Sequence, residues 1–108
     1  MTVAQLAERL QLQAICVDEP DREITGGYAG DLLSWVMGNA QPGDIWVTIM
    51  SNTNIVAVAS LTDCAGVVLA EGVQPDPGVE QLARQKGINL FCSTDSAFSL
   101  CGKIAAVL

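Results

Sequence analysis

This chain predicts an α/β layered domain with a mostly parallel central sheet flanked by helices. Three observations predict it. Strand-like apolar runs alternate with segments of helical periodicity along most of the chain. Runs such as Val67–Ala70 are continuously apolar, as strands buried on both faces are. A length of 108 residues fits one domain, here spanning 1–108, with a real but modest core.

Taken in order, Thr2 is a good N-cap, and Gln5 three positions later completes a capping-box pattern. Val3, Leu6, Ala7 and Leu10 then share a helical face. Ala14–Val17 is a short strand. The acidic run Asp18, Glu19, Asp21, Glu23 with Pro20 reads as a solvated loop. Thr25-Gly26-Gly27-Tyr28 follows and is read as a glycine turn opening a helix from Gly30 to Met37, with Gly38 and Asn39 as its C-cap. Gln41–Asp44 is a turn, and Ile45–Ile49 a β-branched and aromatic strand.

Ser51-Asn52-Thr53-Asn54 is a run of cap formers. Ile55–Leu61 is compatible with helix or strand, and the preceding caps favour helix. Ala65–Ala70 is a strand that Glu71-Gly72 ends. Asp76-Pro77 predicts a helix start, Gly87 its end, and Ile88–Cys92 the next strand. Asp95 is placed to cap a last helix whose apolar face is Phe98, Cys101, Ile104, Ala105 and Leu108.

Composition narrows the function. The net charge is −7, with five basic residues scattered in sequence. No basic stripe or aromatic–basic alternation exists, so nucleic-acid binding is not expected. No apolar run nears the ~20 residues of a membrane span, and no positively charged leader is seen, so a cytoplasmic protein is expected. Half of the residues are hydrophobic and the mean hydropathy is +0.37. In a domain this small, that points to a covered subunit interface, and a homodimer is the expected state.

Catalysis is not expected. There is no histidine to activate a serine or a thiol. Lys103 is two residues from Cys101 and would point to another face of a helix. Cys16, Cys64, Cys92 and Cys101 form no C-x-x-C pair, and no metal site or cofactor is expected. Buried thiols are the favoured reading. An even count also permits two disulfides.

The candidate ligand contacts are glycine-rich or cap-forming. Thr25 offers a hydroxyl, Gly26 and Gly27 offer amides, and Asp31 offers an acceptor for a ribose or another donor. Each has a structural alternative: a tight turn for the glycines, a favourable first-turn acid for Asp31. If the strands are parallel, Ser51, Asn52, Glu71, Gly72, Ser93 and Thr94 fall beyond their carboxyl ends, where open α/β sheets bind ligands. Ordinary capping explains the Ser, Asn and Thr equally well.

Several separated blocks resemble the DRTGG domain family in order. These are Thr25–Tyr28 with Gly30–Ser34, then Trp46–Ser51, then Asn54–Asp63, so that nearly the whole chain is covered. Glu71–Asp76, the helix after it, and Gly87–Leu90 with Ser93-Thr94 also resemble the N-terminal domain of HPr kinase/phosphorylase. In this chain Glu23-Ile24 separates Asp21-Arg22 from Thr25-Gly26-Gly27, so only the last three residues carry over from the family's name motif. The resemblance implies that fold and a regulatory role. Such domains accompany phosphotransacetylase, cobyrinic-acid synthase-like proteins and pyrophosphatases with CBS domains, and single-domain versions occur near iron-only hydrogenase genes. The chain has no G-x-x-x-x-G-K-[ST], so kinase activity is not implied.

Two functions remain. One is a non-catalytic, homo-oligomerising adaptor that controls a partner protein in hydrogenase or carbon metabolism. The other is a sensor of a nucleotide or another small anion. Few Lys and Arg weigh against a polyphosphate, and the high apolar content weighs for the adaptor.

Overall fold

The computed structural model describes residues 1–108. The elements run α1 Val3–Leu10, β1 Gln13–Cys16, β2 Gly26–Ala29, α2 Leu33–Asn39, β3 Asp44–Thr48, α3 Asn54–Thr62, β4 Gly66–Leu69, α4 Val79–Lys86, β5 Leu90–Cys92 and α5 Ala97–Val107. One five-stranded sheet has the order β1-β5-β4-β3-β2. β2, β3, β4 and β5 are mutually parallel, and β1 joins β5 antiparallel.

The topology decides where the helices go. β2 to β5 are laid down one after another in the same direction across the sheet. Right-handed crossovers then put α2, α3 and α4 on one face. Val36, Trp46, Ile55, Val56, Ala59, Val67, Leu69, Val79 and Ala83 form the core there. The other face is left to the first and last helices. Val3 and Leu6 of α1 and Leu100 and Ile104 of α5 pack there on Ile45, Val47, Val68 and Phe91. Alternate residues of β3 and β4 therefore enter different cores. This is why both strands are buried along their whole length and apolar at their centres.

The capping box of α1 is present: Gln5 N–H donates to Thr2 Oγ1 at 3.2 Å and Thr2 N–H to Gln5 Oε1 at 2.9 Å. Ile55–Leu61 lies within α3. Several sequence expectations need correction. Gly26 and Gly27 make no turn. They are the start of β2, in parallel register with Asp44 and Ile45, and neither has a positive φ. Two glycines in a row permitted a left-handed turn but did not require it. The sheet accepts them because residue 26 leaves no room for a side chain: a Cβ on Gly26 would lie 2.7 Å from Asp44 Oδ1. The left-handed glycine of this region is Gly43, with φ +86° beside Thr25.

Helix α2 accordingly starts at Leu33, later than Gly30, and its C-cap is Ala40. α4 is capped at Gly78 (φ +90°), two residues beyond Asp76, although Val79 N–H still bonds Asp76 O at 3.1 Å. Ser96, not Asp95, caps α5, with its hydroxyl accepting from Ser99 N–H at 3.1 Å. Phe98 is exposed rather than part of the apolar face.

Candidate functional site

The carboxyl ends of β2 to β5 form one rim. Asp31 follows β2, Ser51 and Asn52 follow β3, Glu71 and Gly72 follow β4, and Ser93 and Thr94 follow β5. Thr25, Gly26 and Gly27 lie at the opposite end of β2. The structure thus separates Thr25 from Asp31 by the length of a strand, and the expected cradle joining them does not form. Thr25 instead closes the far end: its hydroxyl donates to Pro42 O at 3.2 Å and its N–H to Gly43 O at 3.0 Å.

Most polar groups on the rim are engaged by the protein itself. Asp31 Oδ1 accepts from Thr48 Oγ1 at 2.8 Å and from Ile49 N–H at 2.9 Å, which clips the end of β3 to the end of β2. Ser51 Oγ donates to Asp76 Oδ1 at 2.9 Å. Asn52 Oδ1 accepts from Asn54 N–H at 2.9 Å, an Asx turn into α3. Glu71 and Gly72 both have positive φ, 63° and 75°. That bend sends Glu71 Oε2 to the free N–H of Ala97 at 2.8 Å, where it caps the first turn of α5.

The rim has one recess. α4 follows β4 onto one face of the sheet, whereas α5 follows β5 onto the other. This divergence is the kind of switch point at which α/β sheets open a crevice. A cleft of about 220 Å³ lies there, lined by Gln11, Gln13, Gln74, Ser93, Thr94, Asp95 and Lys103 among others. Thr94 is exposed. Ser93 Oγ accepts from Asp95 N–H at 3.1 Å, and Gln74 Nε2 donates to Gln13 Oε1 at 3.3 Å. The cleft's one cation, Lys103, is paired with Asp95 at 2.8 Å. Sequence reasoning found Ser93 and Thr94. It missed Gln11, Gln13 and Gln74, because only the β1–β5 pairing and the loop after β4 bring them together.

Two of the other basic residues are occupied in the same way. Arg22 pairs with Asp63 at 3.1 Å, and Arg84 with Glu80 at 2.8 Å. The hydrogen bond that Arg84 donates to Glu80 raises the pKa of Arg84 further. Burial pushes the thiols of Cys16, Cys64, Cys92 and Cys101 above their ordinary value. They are held protonated, the opposite of what a nucleophile needs. No disulfide joins them.

A second surface was not foreseen in detail. β2 is the outer edge of the sheet, and on the α5 side it presents only Gly27 and Ala29. These small residues leave an apolar groove of about 260 Å³ over Ile45 and Val47, walled by Cys101, Ile104, Ala105 and Leu108. On the α2 side, Leu32, Trp35 and Met37 are 61%, 64% and 50% exposed. The chain therefore carries uncharged apolar surface beside its open edge.

The strand order, the mixed sheet and the two helical layers define an α/β layered fold with a mostly parallel five-stranded sheet. One solved structure with this fold is the regulatory region of Clostridium perfringens pyrophosphatase, comprising CBS and DRTGG domains in complex with its activator, diadenosine tetraphosphate. The likeness has a TM-score of 0.77 at 15% identity and covers 99% of this chain. This chain spans about half (47%) of the length of that one. No family model and no curated protein matches the sequence. No helix is long and apolar enough to cross a membrane.

Proposed function

We propose that this chain is a non-catalytic regulatory module of the DRTGG type, a homodimerising adaptor that controls a partner protein in hydrogenase or carbon metabolism. The observation that carries the reading is the uncharged apolar surface along β2, set against a rim whose carboxylates and hydroxyls are mostly spent on the protein's own side chains and backbone. The regulatory role of the similar pyrophosphatase region, and the resemblance of Thr25–Ser34 and Trp46–Asp63 to the family, support it. The HPr kinase-like fold and the extent of the domain, 1–108, belong to the same proposal. Four free thiols suit a reducing, cytoplasmic compartment.

The cleft beyond β4 and β5 favours a second reading, a nucleotide sensor, because it lies where the helices diverge and contains Ser93, Thr94 and Lys103. The similar region's complex with diadenosine tetraphosphate supports that reading. A thermal-shift panel separates the two. It contains diadenosine tetraphosphate, adenine and guanine nucleotides and acetyl phosphate, each with and without magnesium. A ligand at about a hundred times its dissociation constant stabilises by roughly 2.7 kcal/mol, which is several degrees in a domain of this size. The adaptor reading expects no saturable shift. A saturable shift that Lys103→Ala abolishes would replace it with the sensor.

A further inference from the structure

We infer that the open edge of β2 pairs with β2 of a second copy of this chain, antiparallel and centred on Tyr28, so that two sheets become one. The inference rests on the reading of this chain as an interaction module and names its partner surface.

The two edges of the sheet differ. β1 is blunted: its register with β5 shifts between Ala14 and Cys16, and Arg84 Nη2 donates to the carbonyl of Ile15 at 3.2 Å. Bulges and charged side chains are the usual protection of an edge strand. β2, reading Gly-Gly-Tyr-Ala, has no charge, proline or bulge, and its register with β3 is regular throughout. An edge of that kind is a template for another strand.

The backbone fixes the register. Gly30 N–H donates to Val47 O at 3.1 Å, and Gly26, Gly27, Tyr28 and Ala29 lie opposite Asp44, Ile45, Trp46 and Val47, so Gly26 and Tyr28 face β3. Alternation then aims the N–H and C=O groups of Gly27 and Ala29 outward. A two-fold axis at Tyr28 sets Gly27 opposite Ala29 of the second copy, and Ala29 opposite its Gly27. The outward groups of both residues are then used. Tyr28 faces itself in the closer, non-hydrogen-bonded position, where Cα atoms approach to about 4.5 Å.

A second copy fits better than another protein would. A two-fold axis perpendicular to the sheet keeps like faces together. The two α5 grooves meet over the seam on one side, and the two α2 helices, with exposed Leu32, Trp35 and Met37, border it on the other. One operation thus brings both apolar surfaces to the seam. Charge agrees. Each chain carries −7, so two copies repel over most orientations. From Ile24 to Asn39 the only charged residue is Asp31, which is held by Thr48 and Ile49. A basic partner would be drawn instead to the acidic loop at residues 18–23.

Residue 27 tests this directly. A Cβ there would meet only Ile45 O, at 3.5 Å, an ordinary contact, so Gly27→Glu and Gly27→Lys leave the monomer intact; circular dichroism checks this. Light scattering after size exclusion gives the mass of each. Wild type is expected at twice 11.3 kDa. Each variant alone is expected at a single chain mass, because the charge enters the apolar seam and like charges stand diagonally across the axis. An equimolar mixture of the two variants is expected to recover the dimer through an opposite-charge cross-strand pair. A monomeric wild type, dimeric single variants, or a mixture that stays monomeric would each overturn the inference. The nucleotide panel reads the distant cleft, so the regulatory reading stands or falls on that separate result.

Discussion

Asn89 is a residue that no motif announces, yet it ties three parts of the chain together. It is buried, its Oδ1 accepts from the N–H groups of Asp18 and Glu19 at 2.9 Å each, and its Nδ2 donates to the carbonyls of Glu19 and Ala65. The acidic loop is thus fastened to the sheet rather than left loose in solvent. Asn89→Ala strands these groups, at roughly 1–3 kcal/mol for each one that water cannot reach. Urea unfolding is expected to show a loss of that size or more; an unchanged midpoint would mean that the loop is not held there. The glycines give a paired test. Gly43 has φ +86° and its Cβ would collide with Thr25 Oγ1, whereas Gly27 has neither difficulty. Gly43→Ala is expected to cost on the order of 1–3 kcal/mol, and Gly27→Ala to stay within about 0.5 kcal/mol in the monomer. The sequence pointed to the Thr25–Gly27 region as special, but the strained backbone is its neighbour across β3's entry. Sequence spacing alone does not reveal which of two nearby glycines takes the left-handed conformation.

The thiols add a pH dependence. Burial raises all four above the ordinary value of 9.0, so the fold favours the protonated form. Unfolded thiols begin to ionise at the ordinary value while folded ones keep their protons. The stabilisation is therefore complete below pH 9 and declines as pH rises toward the folded values. Denaturation midpoints are expected to fall through the alkaline range, and less steeply in Cys64→Ala than in wild type. Equal slopes for the two proteins would contradict the burial of that thiol.

At the scale of elements, the helix starts carry separable contributions. Thr2 caps α1 through a complete capping box, and Ser96 caps α5. Thr2→Ala and Ser96→Ala are each expected to cost about 1 kcal/mol in chemical denaturation. A Thr2 substitution without effect would show that the adjoining bridge to Glu23 holds the helix start unaided. The Thr2 cap was legible because the whole box is local in sequence. The cap of α5 was misplaced by one residue, since Asp95 and Ser96 are both good formers and tertiary contact chose between them. Asp95 is drawn away to Lys103, and Glu71 reaches across from β4 to take a free amide of the same helix turn. The alternation of strands and helices was readable because buried strands and amphipathic helices differ in period. β2 was not readable, because Gly-Gly-Tyr-Ala has no strand signature and becomes a strand only by lying against β3.

For the whole molecule, the sheet order explains what the rim can and cannot do. Successive crossovers on one face leave no crevice among β2, β3 and β4, so the clustering of Asp31, Ser51 and Asn52 at strand ends yields clips and caps. The one recess lies at β5, where the chain changes face. Sequence reasoning placed the rim residues at strand ends but had no access to strand order. It therefore weighted Asp31 and Ser93-Thr94 alike. The same order leaves β2 outermost with its amides free, and that edge is the centre of the account.

Amide hydrogen exchange resolved at β2 tests it most directly. Tyr28 and Gly30 face β3 and are protected in either state. Gly27 and Ala29 face outward from the edge strand and have no partner within one chain. The account predicts that both exchange slowly in concentrated wild-type protein and become fast on dilution or in Gly27→Glu. Fast exchange at Gly27 and Ala29 in concentrated wild type, with Tyr28 and Gly30 still protected, would contradict it.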